Sequence, residues 1–281
     1  MMAAIRVEYD KLVRRPALWW SAVAAAAMAI VFGYAIPYLV GTGDDAAPRS
    51  SPGGAGYSVP LETLLPEQLV ENAISGFPLF YLALALVLGA LTSGSEYTWR
   101  TVRSIVLWGP GRVTMLAAKS IVLVVAVVVV AVAAFAAGAA SSWVIAIIEN
   151  ESASPPAADE IVRGLGAAWL ILAVGAVLGL AGGVLTRSSG AVIGAGLVYL
   201  FVVELLLRTF VERSEVIEVI AKALPGTNAG SLAGSFVETA RGAPGVNDLV
   251  GTGQAVAVLL AWSVVAAGVA TAVFARRDVH A

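Results

Sequence analysis

Six apolar stretches, each about as long as a bilayer is thick, constrain this chain more than any other feature. A helix needs roughly 20 consecutive apolar residues to cross the ~30 Å hydrocarbon core. Such stretches run from Leu18 to about Val40, from about Ile74 to Thr92, and from Met115 to about Ile148. Three more run from about Gly164 to Leu185, from Gly190 to about Leu207, and from about Gln254 to Phe274. Lipid offers the backbone no hydrogen-bond partners, so segments of this length and composition are expected as helices. The predicted fold class is an all-α integral membrane protein with six transmembrane helices. The third stretch would run about 51 Å at 1.5 Å per residue, so it either projects beyond the bilayer or bends near Gly138–Ser142. The first is too long for the roughly 7–15-residue apolar core of a signal peptide and has no A-x-A cleavage site, so it reads as a retained first helix.

Composition sets the exclusions. The chain is 59% hydrophobic and 13% charged, where soluble domains are nearer 45–50% and about 25%. That excludes a disordered chain, a coiled coil, a typical cytosolic enzyme and a nucleic-acid-binding domain. Cysteine is absent and the one histidine is His280. Thiolate and imidazole chemistry therefore has almost nothing to work with, and no metal site is expected.

The net charge of −2 hides an asymmetry. Arg6, Lys11, Arg14, Arg15, Arg100, Arg103, Arg112, Lys119, Arg187, Arg276 and Arg277 fall on one side of the six-span plan, with only Glu8, Asp10, Glu96 and Asp278. Lys and Arg collect on the cytoplasmic side of membrane proteins. Both termini are therefore expected to be cytoplasmic.

The intervening segments divide the chain. Residues 1–16 read as a cytoplasmic interfacial helix, followed by a six-span domain over 17–281. In the first part Ile5, Tyr9, Leu12 and Val13 share a face. Arg6, Lys11, Arg14 and Arg15 are available to lipid phosphates, and Asp10 and Arg14 are spaced for an ion pair. Pro16 breaks the chain before Trp19 and Trp20, which suit the headgroup boundary. An external loop over 41–71 is rich in Gly, Pro and acids, with a short helix expected near Pro60–Val70. Its Asp44 and Asp45 lack the spacing of a calcium loop. A second external segment, 209–253, should carry short helices: an amphipathic one with Val211, Val216, Ile217, Ile220 and Leu224 on one stripe, ended by Pro225-Gly226, then Asn228–Thr239, whose small residues suit a re-entrant element shielded from lipid. Glu204 and Arg208 lie at i,i+4 in the fifth span. They read either as an interfacial structural pair or as part of a substrate route.

The connection Gly94–Lys119 is longer than a plain loop requires. Glu96, Arg100 and Arg103 fall at i, i+4 and i+7, Val102, Ile105, Val106 and Trp108 give an apolar side, and Gly109-Pro110-Gly111 turns the chain. Glu96-Tyr97, Thr101-Val102-Arg103, Leu107, Pro110, Arg112 and Lys119 together resemble the cytoplasmic signature of type-2 ATP-binding-cassette (ABC) exporter permeases. Arg14-Arg15-Pro16 with Trp19, the Leu224-Pro225 step and the terminal Phe274–Val279 are also similar to that family. The sequence departs from the pattern at Arg100, where Gly is common before Thr101.

The resemblance implies a transmembrane permease subunit of an ATP-driven exporter in a prokaryotic inner membrane. It implies pairing with a second permease subunit, identical or not, above two cytoplasmic ABC ATPase subunits. Glu96, Tyr97, Arg100, Thr101, Arg103, Arg112 and Lys119 would form the ATPase-coupling surface together with the N-terminal helix. ATP and Mg would be bound by the partner ATPase and no cofactor by this chain, which has no G-x-x-x-x-G-K-[ST] phosphate loop and so is not expected to be an enzyme itself. Spans one, two and five would line the route. Their Ala, Val, Leu, Phe and Tyr favour a lipophilic or amphipathic cargo. Two alternatives stand beside this one, a stand-alone secondary carrier or channel and a non-transporting scaffold. The scarcity of intramembrane charge argues against ion-gradient coupling.

Overall fold

The computed structural model describes residues 1–41, 60–98, 111–237 and 243–276. Among these the chain is helical and contains no strand. A short helix, α1 (Met2–Arg14), precedes six helices long and apolar enough to cross a membrane. These are α2 (Pro16–Leu39), α3 (Pro66–Gly94), α4 (Arg112–Glu149), α5 (Ala158–Thr186), α6 (Ser189–Phe210) and, last in the chain, α9 (Thr252–Arg276). Between α6 and α9 lie α7 (Glu215–Ala223) and α8 (Pro225–Gly234). The protein is a multi-pass α-helical membrane protein.

Helices α3 and α5 form the centre. They are buried over 61% and 78% of their apolar windows, against 22% for α2 and 17% for both α6 and α9. Small residues permit the central contact. Gly175, Gly179 and Gly183 recur every fourth residue on one face of α5, and a Cβ on any of them would press into Leu82, Leu86 or Ser93 of α3. Gly89 faces the backbone of Ala176 in return. Between helices surrounded by lipid there is no hydrophobic drive, so close backbone approach and dispersion hold such pairs together.

Helix α4 has 38 residues and no break. Near Gly138–Ser142 it stays helical, so its roughly 57 Å of length projects past the bilayer core rather than bending within it. The second span starts at Pro66, earlier than sequence suggested, because a 3-10 turn at Pro66–Gln68 runs directly into helix. The short helix expected near Pro60–Val70 is thus present, as 3-10 turns at Leu61–Leu64 and Pro66–Gln68 that lead into the span. Asp44 and Asp45 lie outside the described residues.

Three spans contain π-helical turns: Ala29–Ala35 in α2, Phe77–Tyr81 in α3 and Tyr199–Glu204 in α6. Such turns are rare and occur often at functional sites. Here they carry an aromatic row, with Phe32 6.1 Å from Phe80 and Phe80 6.2 Å from Phe201 between ring centroids.

Candidate functional site

Helix α1 packs against the start of α4 through Ala4, Glu8 and Leu12, with Ile5 partly buried beside them. Tyr9 is not on this face; it is 55% exposed. The Asp10–Arg14 pair does not occur among the described ion pairs. Instead Lys11 Nζ donates to Glu8 Oε1 at 2.7 Å, and Lys119 Nζ of α4 lies 3.7 Å from Glu8 Oε2. Arg15 and Lys119 both donate to the Thr92 carbonyl of α3, each at 3.4 Å. Lys119 is buried, and so is Glu8. The ionic joint thus fastens the surface helix to two membrane-spanning helices.

The three cations of α1 and Arg15 just after it therefore do different things. Lys11 and Arg15 turn inward, while Arg6 and Arg14 remain exposed. Glu8 is the residue sequence reasoning overlooked. Its signal was the i, i+4, i+8 set Ala4–Glu8–Leu12, which puts a carboxylate on the buried face where it needs a cation.

The expected coupling residues are only partly visible. Glu96 and Tyr97 fall in the helical continuation of α3 past Gly94, which ends at Thr98. Arg100, Thr101 and Arg103 lie outside the described residues. Arg112 opens α4, just after Gly111. Lys119 lies two turns further on, in the joint with Glu8.

A second polar cluster forms where α6 meets α8. Glu204 is buried. Its Oε1 accepts from Tyr199 Oη at 2.6 Å and from the Gly226 backbone N–H at 3.0 Å. Arg208 lies 3.8 Å from the other carboxylate oxygen and donates to the carbonyls of Gly245 and Gly226 at 2.6 and 2.7 Å. The expected Glu204–Arg208 pair is therefore present, though its members hold other partners more closely. Tyr199 and Glu204 are five residues apart, a spacing that a π turn brings onto one face and an α-helix does not.

Helix α8 is buried from Pro225 to Ala233. The short element expected over Asn228–Thr239 is helical and shielded as far as Gly234 but starts three residues earlier, and Glu238 and Thr239 lie outside the described residues. Pro225 occupies its first position, where a missing N–H does no harm, and Leu224 provides no side-chain cap. Glu204 supplies that cap from another helix and places an anion at the positive end of the helix dipole. Gly226 is required there, because a Cβ would overlap the Glu204 carboxylate. Along the same helix Asn247 Nδ2 donates to the Thr227 carbonyl at 3.1 Å, and its Oδ1 accepts from Ser231 Oγ at 2.5 Å. Trp262 of α9 donates to the Ala223 carbonyl at 2.8 Å and holds the α7–α8 corner. On α7 the expected apolar stripe is exposed at Val216 and Ile220, as is Val219 beside it, and only Ala221 is buried.

A cavity of about 270 Å³ opens between α2 and α3, lined by Phe32, Gly33, Tyr34, Asn72, Phe80 and Tyr81 among others. Its amide is already engaged, since Asn72 Nδ2 donates to the Gly33 carbonyl at 3.0 Å. The walls it leaves are largely aromatic and aliphatic. Among the described residues no group of three or more His, Asp or Glu could hold a metal ion.

This arrangement defines a polytopic α-helical membrane protein with a docked surface helix and a buried, capped half-helix on the opposite side. Residues 62–280 match the family described as "Protein of unknown function (DUF2705)", and the chain belongs to that family. No curated protein matches the chain.

Proposed function

We propose that the protein is the transmembrane permease subunit of an ATP-driven ABC exporter, with both ends cytoplasmic in a prokaryotic inner membrane. The observation that carries this reading is the joint at Glu8 and Lys119. The connection 94–119, whose residues resemble the exporter signature, ends on a buried lysine tied to α1. A soluble ATPase pressing on that connection would move α1, α3 and α4 as one body rather than bending a loop. A second feature accords with it. Helices α2, α3 and α6 place Phe32, Phe80 and Phe201 in one row beside the aromatic cavity, which suits a lipophilic or amphipathic cargo. In this reading a second permease subunit would complete the route, and separate ATPase subunits would supply the energy.

The test is co-expression with the candidate ATPase, co-purification, and ATP-dependent efflux from inverted vesicles. Glu96→Ala and Arg103→Ala should leave insertion and assembly intact and lower transport per ATP hydrolysed. Transport by the purified chain alone, driven by an ion gradient, would replace this reading with that of a secondary carrier.

A further inference from the structure

A wedge separates the outer face of α1 from the start of α4. It measures about 830 Å³ and is walled by Ile121, Val125 and Val129 on one side, and by Ile5, Tyr9 and Leu18 on the other. Ile121, Val125 and Val129 lie on one stripe of α4 that rises about 12 Å. That is most of the ~15 Å depth of one leaflet's hydrocarbon. Val125 is 62% exposed, so no protein side chain covers this stretch of α4.

The mouth of the wedge is not apolar. Arg6 lines it and has no ion pair or hydrogen bond among the described residues. The first turn of α1 has no acid and no side-chain cap, so its amide groups and dipole add to the positive field there. Glu8 is spent on Lys11 and Lys119, and Asp10, four residues on from Arg6, forms no ion pair with it among the described residues. Tyr9 and Trp19 flank the opening, as aromatic residues do at the level of lipid headgroups. A cation beside hydrocarbon is costly unless an anion accompanies it. An apolar slot of acyl-chain length that ends at an unpaired arginine fits one amphiphile, an anionic phospholipid.

We propose that this wedge is a specific binding site for one anionic phospholipid, its chain along Ile121–Val129 and its phosphate on Arg6. Bound there, the lipid is a third component of the α1 joint. It fills the side of α1 that protein leaves open, whereas Glu8 and Lys119 hold the other side.

The experiment uses the full chain in phosphatidylcholine nanodiscs doped with phosphatidylglycerol bearing a photoreactive group on its acyl chain. Labelled peptides are mapped by mass spectrometry. Labelling should concentrate on residues 2–13 and 119–129 and be competed by plain phosphatidylglycerol. Arg6→Ala should lower it about fivefold, the factor that one cation contributes near an anionic headgroup. Val125→Trp, at an exposed position, should block the slot while leaving the protein monodisperse. Labelling spread evenly over the lipid-facing sides of α2, α6 and α9 would overturn the proposal. So would equal competition by phosphatidylcholine or by inorganic phosphate, or labelling unchanged in both variants.

Discussion

Replacing Glu204 by alanine should release α8 from the rest of the protein. The substitution removes the acceptor of two donors, the Tyr199 hydroxyl and the Gly226 N–H. Each buried donor left unpaired costs about 1–3 kcal/mol. Arg208 keeps its two carbonyl acceptors but loses the carboxylate 3.8 Å away. Breaking a buried ion pair from one side typically costs about 3–5 kcal/mol. These figures overlap because they describe the same bonds, so a loss of about 4 kcal/mol is expected. It should fall on the segment rather than on the whole fold, since Glu204 caps one helix end while the α3–α5 core lies elsewhere. Hydrogen exchange followed by mass spectrometry in detergent reads this directly. Amides of Asn228–Ala233 should exchange two to three orders of magnitude faster, at about 1.4 kcal/mol per factor of ten. Amides of Ala168–Leu180 should be unchanged. Glu204→Gln keeps an acceptor oxygen and should fall between wild type and alanine, and Tyr199→Phe should have a smaller effect. Unchanged exchange over Asn228–Ala233 in Glu204→Ala would refute the trans-capping argument. Equal acceleration in both regions would refute its locality.

Three further outcomes follow from the same geometry. Glu8→Ala should expose the α1 segment to limited proteolysis several-fold faster, and Glu8→Gln combined with Lys119→Met should recover much of the loss, since coupled pairs of this kind interact by about 0.5–3 kcal/mol; strictly additive rates would argue against the joint. Gly179→Val should lower thermal stability in detergent by the ~1–3 kcal/mol of overpacking or more, because its Cβ would meet the Leu86 carbonyl, whereas Gly166→Ala, whose Cβ meets nothing, should be close to neutral. The chain has no cysteine, so Arg14→Cys and Glu151→Cys report topology cleanly: an impermeant maleimide on intact cells should label only the second, and the reverse pattern would invert the proposed orientation.

Much of this architecture was legible because lipid imposes simple demands. Length and apolarity alone marked all six spans, and the small residues after Asn228 marked a shielded short element, although Pro225-Gly226 read as the end of the helix before it rather than as the start of α8. The Glu204–Arg208 pair was readable from i,i+4 spacing. What escaped was everything that depends on a departure from 3.6 residues per turn or on a distant partner. Tyr199 was invisible as a partner of Glu204 because only a π turn brings i and i+5 together. Glu8 was counted merely as one of the few acids on a basic side, since nothing local shows that Lys119, more than a hundred residues on, would face it.

The sequence by itself determined that this chain is helical and membrane-spanning, because a backbone in hydrocarbon has no other way to satisfy its hydrogen bonds over such lengths. It also determined which side is rich in cations. Tertiary structure alone decided which spans lie at the centre. Apolarity does not single them out, since α4 is the most apolar span and α3 and α5 match α6 and α9; the glycine-lined fit of α5 against α3 sets the centre. It also decided which cations of the N-terminal segment point inward and which stay exposed. A helical pattern assigns charges to faces, but the neighbour that fills each face is set by packing across the fold.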